Sequence, residues 1–146
     1  MDVWQNLIRC GDQHLHNAVL DEAELAYIRA CEHIEKRLLL NDNSSGVVEA
    51  VVTSYHSLAE CLKCQGRYLT AMEVLLKAHQ LMSDGLRQSA HLPQKRAAFV
   101  EGRRKTIAEI KYFQWIMRMS RDANPADAEV HPEVIYGTSQ DSRLGL

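Results

Sequence analysis

Proline is scarce in this 146-residue sequence, with three, and glycine is sparse too, with seven. Most of them lie near breaks in the hydrophobic pattern, so long helices are free to run between them. No segment alternates apolar and polar residues for any length, which leaves no signal for a sheet. No stretch approaches the ~18 uninterrupted apolar residues of a membrane span. The start, MDVWQNLIRCGDQHL, has no basic region followed by an apolar run, so it does not read as a secretory leader. A cytoplasmic chain away from the membrane is therefore expected, with its four cysteines as reduced thiols. A Gly-rich phosphate loop and an HExxH motif are absent, and spacing assembles no nucleophile–base–acid set. No catalytic residue, no metal and no cofactor is expected.

What is present is ordinary for a soluble globular chain: 46% hydrophobic residues and 25% charged. The length favours one domain with a core that needs no disulfide. The net charge of −2 is unevenly spread. Residues 1–90 hold 8 Lys/Arg and 12 Asp/Glu, residues 91–122 hold 8 and 3, and residues 123–146 hold 1 and 4. A basic segment thus sits between two acidic ones and can neutralise them. A chain that is not basic as a whole disfavours a nucleic-acid partner.

Helical periodicity recurs five times. Residues 3–18 carry Val3, Leu7, Ile8, Leu15 and Ala18 on one side, with Asp2 as a plausible N-cap. Residues 21–40 follow, acidic at the start (Asp21, Glu22, Glu24) and basic near the end (Lys36, Arg37), as the helix dipole favours. A loop is expected at 41–46, where every residue prefers turns or caps. A third helix is expected from Val47 to Gln65, ended by Gly66, and a fourth from Tyr68 to Met82, broken by Ser83-Asp84-Gly85. Pro93 opens a fifth that runs to Met119. The helical domain is placed at 1–121. Residues 122–146, with Asn124-Pro125 and His131-Pro132, lose the periodicity and read as a flexible or extended tail.

A repeat underlies these helices. Leu7, Gly11, His14, Ala18, Leu20, Ala23, Tyr27 and Ala30 correspond to Tyr55, Ala59, Leu62, Gly66, Tyr68, Ala71, Leu75 and Ala78. Small residues at these positions let paired helices approach, and Tyr27 and Leu75 fill the space between hairpins. The pattern resembles the tetratricopeptide repeat, with its large-small-large run followed by Gly, aromatic, Ala, aromatic, Ala. The second unit, LAECLKCQGRYLTAMEVLLKAHQL, fits closely; in the first, His14 stands where a large apolar residue is usual. Two departures put the superhelical curvature in question. The units lie 48 residues apart rather than ~34, and neither ends in the usual proline. The resemblance covers about residues 4–83, with helix five as a cap. It implies an all-α, right-handed array of antiparallel helix hairpins and a scaffold that binds a protein or peptide.

In that family the first helices of successive hairpins line a concave groove. Asp12, Leu15, His16, His56, Glu60 and Lys63 are then expected to line it here, with part of helix five opposite. Lys63 alone does not make the family's clamp for a terminal carboxylate. A dedicated chaperone or a subunit of a self-assembling complex, a homodimer included, is the alternative, with Trp4, Phe113 and Trp115 as candidate contacts. A metal protein or enzyme built on Cys61-Leu62-Lys63-Cys64 and nearby histidines is disfavoured. No second CxxC or His pair at metal spacing follows, and cysteines inside a helix are commonly packing residues. His14-x-His16 points two imidazoles to different sides, and the basic residues Lys95, Arg96, Arg103, Arg104, Lys105 and Lys111 read first as a solvated face.

Overall fold

A computed structural model describes residues 2–40 and 46–123. Among them all regular structure is helical, in five helices: α1 (Asp2–His16), α2 (Leu20–Leu39), α3 (Val47–Cys64), α4 (Tyr68–Gln88) and α5 (Pro93–Ala123). Each packs against the next, and α3 also touches α5. Short connections between packed neighbours make α1–α2 and α3–α4 antiparallel hairpins. Of the loop expected at 41–46, only Gly46 is described, and the expected tail lies outside the described residues from 124 onward.

The two hairpins close with the same chemistry. Ala18 adopts a left-handed φ of 60° and Gly66 one of 77°. Around Ala18, the Val19 N–H donates to the His14 carbonyl at 2.8 Å and the Ala18 N–H to Leu15 at 3.0 Å. Around Gly66, Arg67 donates to Leu62 at 2.9 Å and Gly66 to Lys63 at 2.8 Å. Both are Schellman motifs, which satisfy carbonyls that a helix end would leave unpaired. They sit at corresponding positions of the two units.

The small residues lie where the repeat requires them. Ala23, Ala30, Ala71 and Ala78 are fully buried, as are Tyr27 and Leu75. Gly11 is buried under the Tyr27 ring: a Cβ there would stand 2.5 Å from Tyr27 Cε1. Polar ties cross the same seams. The Tyr27 hydroxyl donates to Asp12 at 2.6 Å, and the Tyr55 hydroxyl to Glu35 at 2.7 Å. Glu35 also meets Lys77 at 3.4 Å, so one carboxylate joins α2, α3 and α4. Gln65 and Arg67 both donate to Glu24 at 2.9 Å, holding the second turn beside the first helix pair.

The ends of α4 and α5 and both ends of α1 differ from the sequence expectation, α1 stopping at His16 rather than at residue 18. Ser83-Asp84-Gly85 does not break α4, which continues to Gln88. Gly85 is a packing residue: the Phe99 ring of α5 fills the space its Cβ would take. α5 likewise runs past Met119 to Ala123. Its first turn matches the expectation, with Pro93 opening the helix and the Arg96 N–H donating to the Leu92 carbonyl at 2.8 Å. Asp2 stands in the first turn of α1 rather than before it.

Left-handed backbone costs an alanine on the order of 1 kcal/mol and a glycine nothing. Ala18→Gly is therefore expected to raise stability by about 0.5–1 kcal/mol, and Gly66→Ala to lower it by about 1 kcal/mol. Urea unfolding of both variants checks this; equal midpoints would contradict the shared closure.

Candidate functional site: a polar face between α3 and α5

Helix periodicity brings His56, Glu60 and Lys63 to one side of α3, where α5 packs beside them. Glu60 and Lys63 form an ion pair at 2.8 Å, and the Lys63 ammonium lies 5.8 Å from the Tyr112 ring and 5.9 Å from that of Phe113. Burial works against the Lys63 charge, but Glu60 outweighs it and the lysine pKa is raised. Across the seam, Glu109 has its pKa raised by burial and by repulsion from Glu60, partly offset by Lys63. Lys105, further up α5, meets Glu49 at 3.8 Å. Lys105, Glu109 and Tyr112 follow one another at helical spacing, so α5 presents them together.

His56 is the uneasy member. Its Nε2 is buried and has no hydrogen-bond partner among the described residues. Burial, helped by Lys105, pushes its pKa down to about 4, so the ring is neutral near pH 7. His79 is a contrast. It is 2% exposed, and its Nδ1 lies 3.0 Å from Thr106 Oγ1. The Thr106 hydroxyl also lies 2.9 Å from the Arg103 carbonyl. With the hydroxyl hydrogen on that carbonyl, Nδ1 of His79 donates to Thr106 Oγ1; in the other tautomer it accepts from the hydroxyl instead. Burial and the nearby Arg103 lower its pKa as well.

The six residues expected in the groove divide into two sets. His56, Glu60 and Lys63 gather with the α5 residues just described. Asp12 is exposed but is committed to Tyr27, while Leu15 is half-buried against the core and His16 is exposed. Among the described residues no hydrogen bond or ion pair joins Asp12 or His16 to α3. The α5 side of the face was anticipated only as an unspecified part of helix five. The polar i, i+4, i+7 run of Lys105, Glu109 and Tyr112 was the available signal.

Two of the three candidate contact aromatics are already committed to the body of the protein. Phe113 is fully buried and Trp4 is half-buried, its indole N–H donating to Ser54 at 2.6 Å, so neither is a free contact. Trp115 is 54% exposed and stacks on Tyr112 at 6.3 Å. The CxxC splits across the helix surface: Cys61 is buried and Cys64 exposed. The Cys61 thiol donates to the Leu20 carbonyl at 3.6 Å, and burial pushes its pKa up to about 11. A thiol held protonated packs rather than reacts. Among the described residues no three His, Cys, Asp or Glu side chains converge on a metal position, and no helix is long and apolar enough to cross a membrane.

A hollow of about 870 Å³ opens toward the N-terminal end of α3, between Leu38, Val48 and Val52 on one side and Leu92 and Ala98 on the other. It borders Gly46, next to residues that are not described.

Residues 2–126 match the profile of a family described as a protein of unknown function, DUF2753. The chain belongs to the DUF2753 family. No curated protein and no solved structure matches it. The DUF2753 match spans all five helices, and so includes the whole α3–α5 face.

The depressed histidines give this DUF2753 chain a pH dependence whose sign follows directly. An unfolded imidazole takes up its proton near 6.5; folded His56 does so only near 4. Between those values the unfolded state binds more protons, so stability falls as the pH drops from about 6.5 toward 4. His79 acts in the same direction. His56→Gln should flatten this slope by about 1 kcal/mol, and NMR titration of the wild-type ring should give a midpoint near 4. A midpoint above 6 would contradict the burial described here.

Proposed function

We propose that this chain is a non-catalytic, cytoplasmic scaffold of tetratricopeptide-repeat type that binds a partner protein or peptide against the α3–α5 face. The observation that carries this reading is His56: a buried ring nitrogen with no partner, on a face already lined by an ion pair and an exposed aromatic ring. An unpaired buried acceptor or donor costs about 1–3 kcal/mol. A bound peptide group that draws the His56 ring outward and pairs with it recovers that cost, and Lys63 and Glu109 offer charges of both signs beside it. Such a lining suits an extended peptide or one face of a helix. The paired small residues at the hairpin crossings and the two matching turns support the repeat-family resemblance on which the reading leans.

A second reading keeps the fold and makes the chain a dedicated chaperone or a subunit of an assembly. The exposed Tyr112–Trp115 stack favours it, because aromatic residues are enriched at protein interfaces. Light scattering across a concentration series separates self-association from binding to a different chain.

The direct test is capture by the immobilised full chain, compared with the triple variant His56→Ala, Glu60→Ala, Lys63→Ala. A partner retained by the wild type and lost at least tenfold by a variant of unchanged helicity supports the face. Equal capture by both would move the binding site elsewhere.

A further inference from the structure

The outer side of α5 carries a stripe that no helix covers. Lys111, Tyr112, Trp115, Arg118 and Met119 are all exposed, and their spacing places them on one face of the helix. Tyr112 and Trp115 lie stacked, with 47% and 54% of their surfaces exposed, and Met119 is 49% exposed. No ion pair joins Lys111 or Arg118 to a side chain that the structure describes. The stripe thus combines apolar area with the positive charges of Lys111 and Arg118, and its complement is a segment that is apolar and acidic.

The chain contains such a segment. Residues 127–136 read DAEVHPEVIY: three carboxylates at Asp127, Glu129 and Glu133, four large apolar or aromatic residues at Val130, Val134, Ile135 and Tyr136, and no Lys or Arg. Its position makes return easy. α5 ends at Ala123, and Asn124-Pro125 is a turn-forming pair. From Met119 to Ala123 the helix rises only about 6 Å, and to Tyr112 about 17 Å. The residues from 124 to 136 can span about 40 Å when extended. We propose that residues 127–136 of the same chain lie back along this stripe, with carboxylates near Lys111 and Arg118 and apolar residues on the Tyr112–Trp115 stack. The α5 stripe of a second copy is a poor occupant, since like charges would face each other.

The regulatory consequence rests on the binding-module reading. Tyr112 also borders the Lys63 side of the α3–α5 face, so a segment docked on it competes with a partner there. The partner class follows: an acidic peptide with apolar residues interleaved.

Site-specific photo-crosslinking of the full chain tests the docking without any partner, so its outcome is independent of the capture experiment. With benzoylphenylalanine at position 112, irradiation at low protein concentration should give products within one chain that join position 112 to the 127–136 peptide. The variant Asp127→Lys, Glu129→Lys, Glu133→Lys should lower that yield by roughly fivefold, as should high salt, because exposed pairs are readily screened. Products confined to α1–α5, or a yield unmoved by the charge reversal, would overturn the proposal. Products joining two chains would overturn it too, assigning the stripe to the segment of a second copy.

Discussion

Where the Tyr27 ring lies over Gly11, there is no room for a methyl group, and the first two helices are as close as they are because position 11 lacks one. The same constraint returns at the other end of the array. Phe99 of α5 occupies the space of a Gly85 side chain, and Met82 of α4 that of a Gly102 side chain. Forcing a carbon into such a contact costs about 1–3 kcal/mol in a well-packed core. These contacts set more than distance. They fix the rotation of each helix about its axis, and so decide which residues face outward. With α5 seated by Phe99 and Gly102, its side toward α3 presents Lys105, Glu109 and Tyr112, and the exposed strip adjoining it presents Trp115 and Met119. The polar face is thus a consequence of apolar packing elsewhere on the same helix.

Much of this was legible in the chain. Helical spacing located all five helices, because sparse proline and glycine left the periodicity uninterrupted. The matched residues from Leu7 to Ala30 and from Tyr55 to Ala78 located both hairpins, and Ala18 and Gly66 both turned out to be left-handed turn residues. Gly85 misled, since a glycine after Ser-Asp carries the local signature of a helix end. Only the distant Phe99 reveals it as a packing glycine, and contacts across α4 and α5 leave no local trace. The site was half legible for a similar reason. His56, Glu60 and Lys63 follow from the repeat, but α5 lies beyond the matched units, so its partners could not be placed by analogy. Asp12 was placed in the groove by the same analogy, while its hydrogen bond to Tyr27 depends on a particular pairing of two side chains.

The two units differ in how much they lean on one another. α1 buries only Gly11 fully, whereas α3 buries most of its length, including Val47, Val51, Tyr55, Ala59, Cys61 and Leu62. That helix packs against α2, α4 and α5 at once. Linear repeat arrays gain stability by adding neighbour contacts one unit at a time, and can lose units from their ends. Here the central helix serves as the shared wall of both hairpins and the cap. Opening either hairpin strips apolar surface from the other, so the molecule should melt in one concerted step, as a compact bundle does rather than a string of modules.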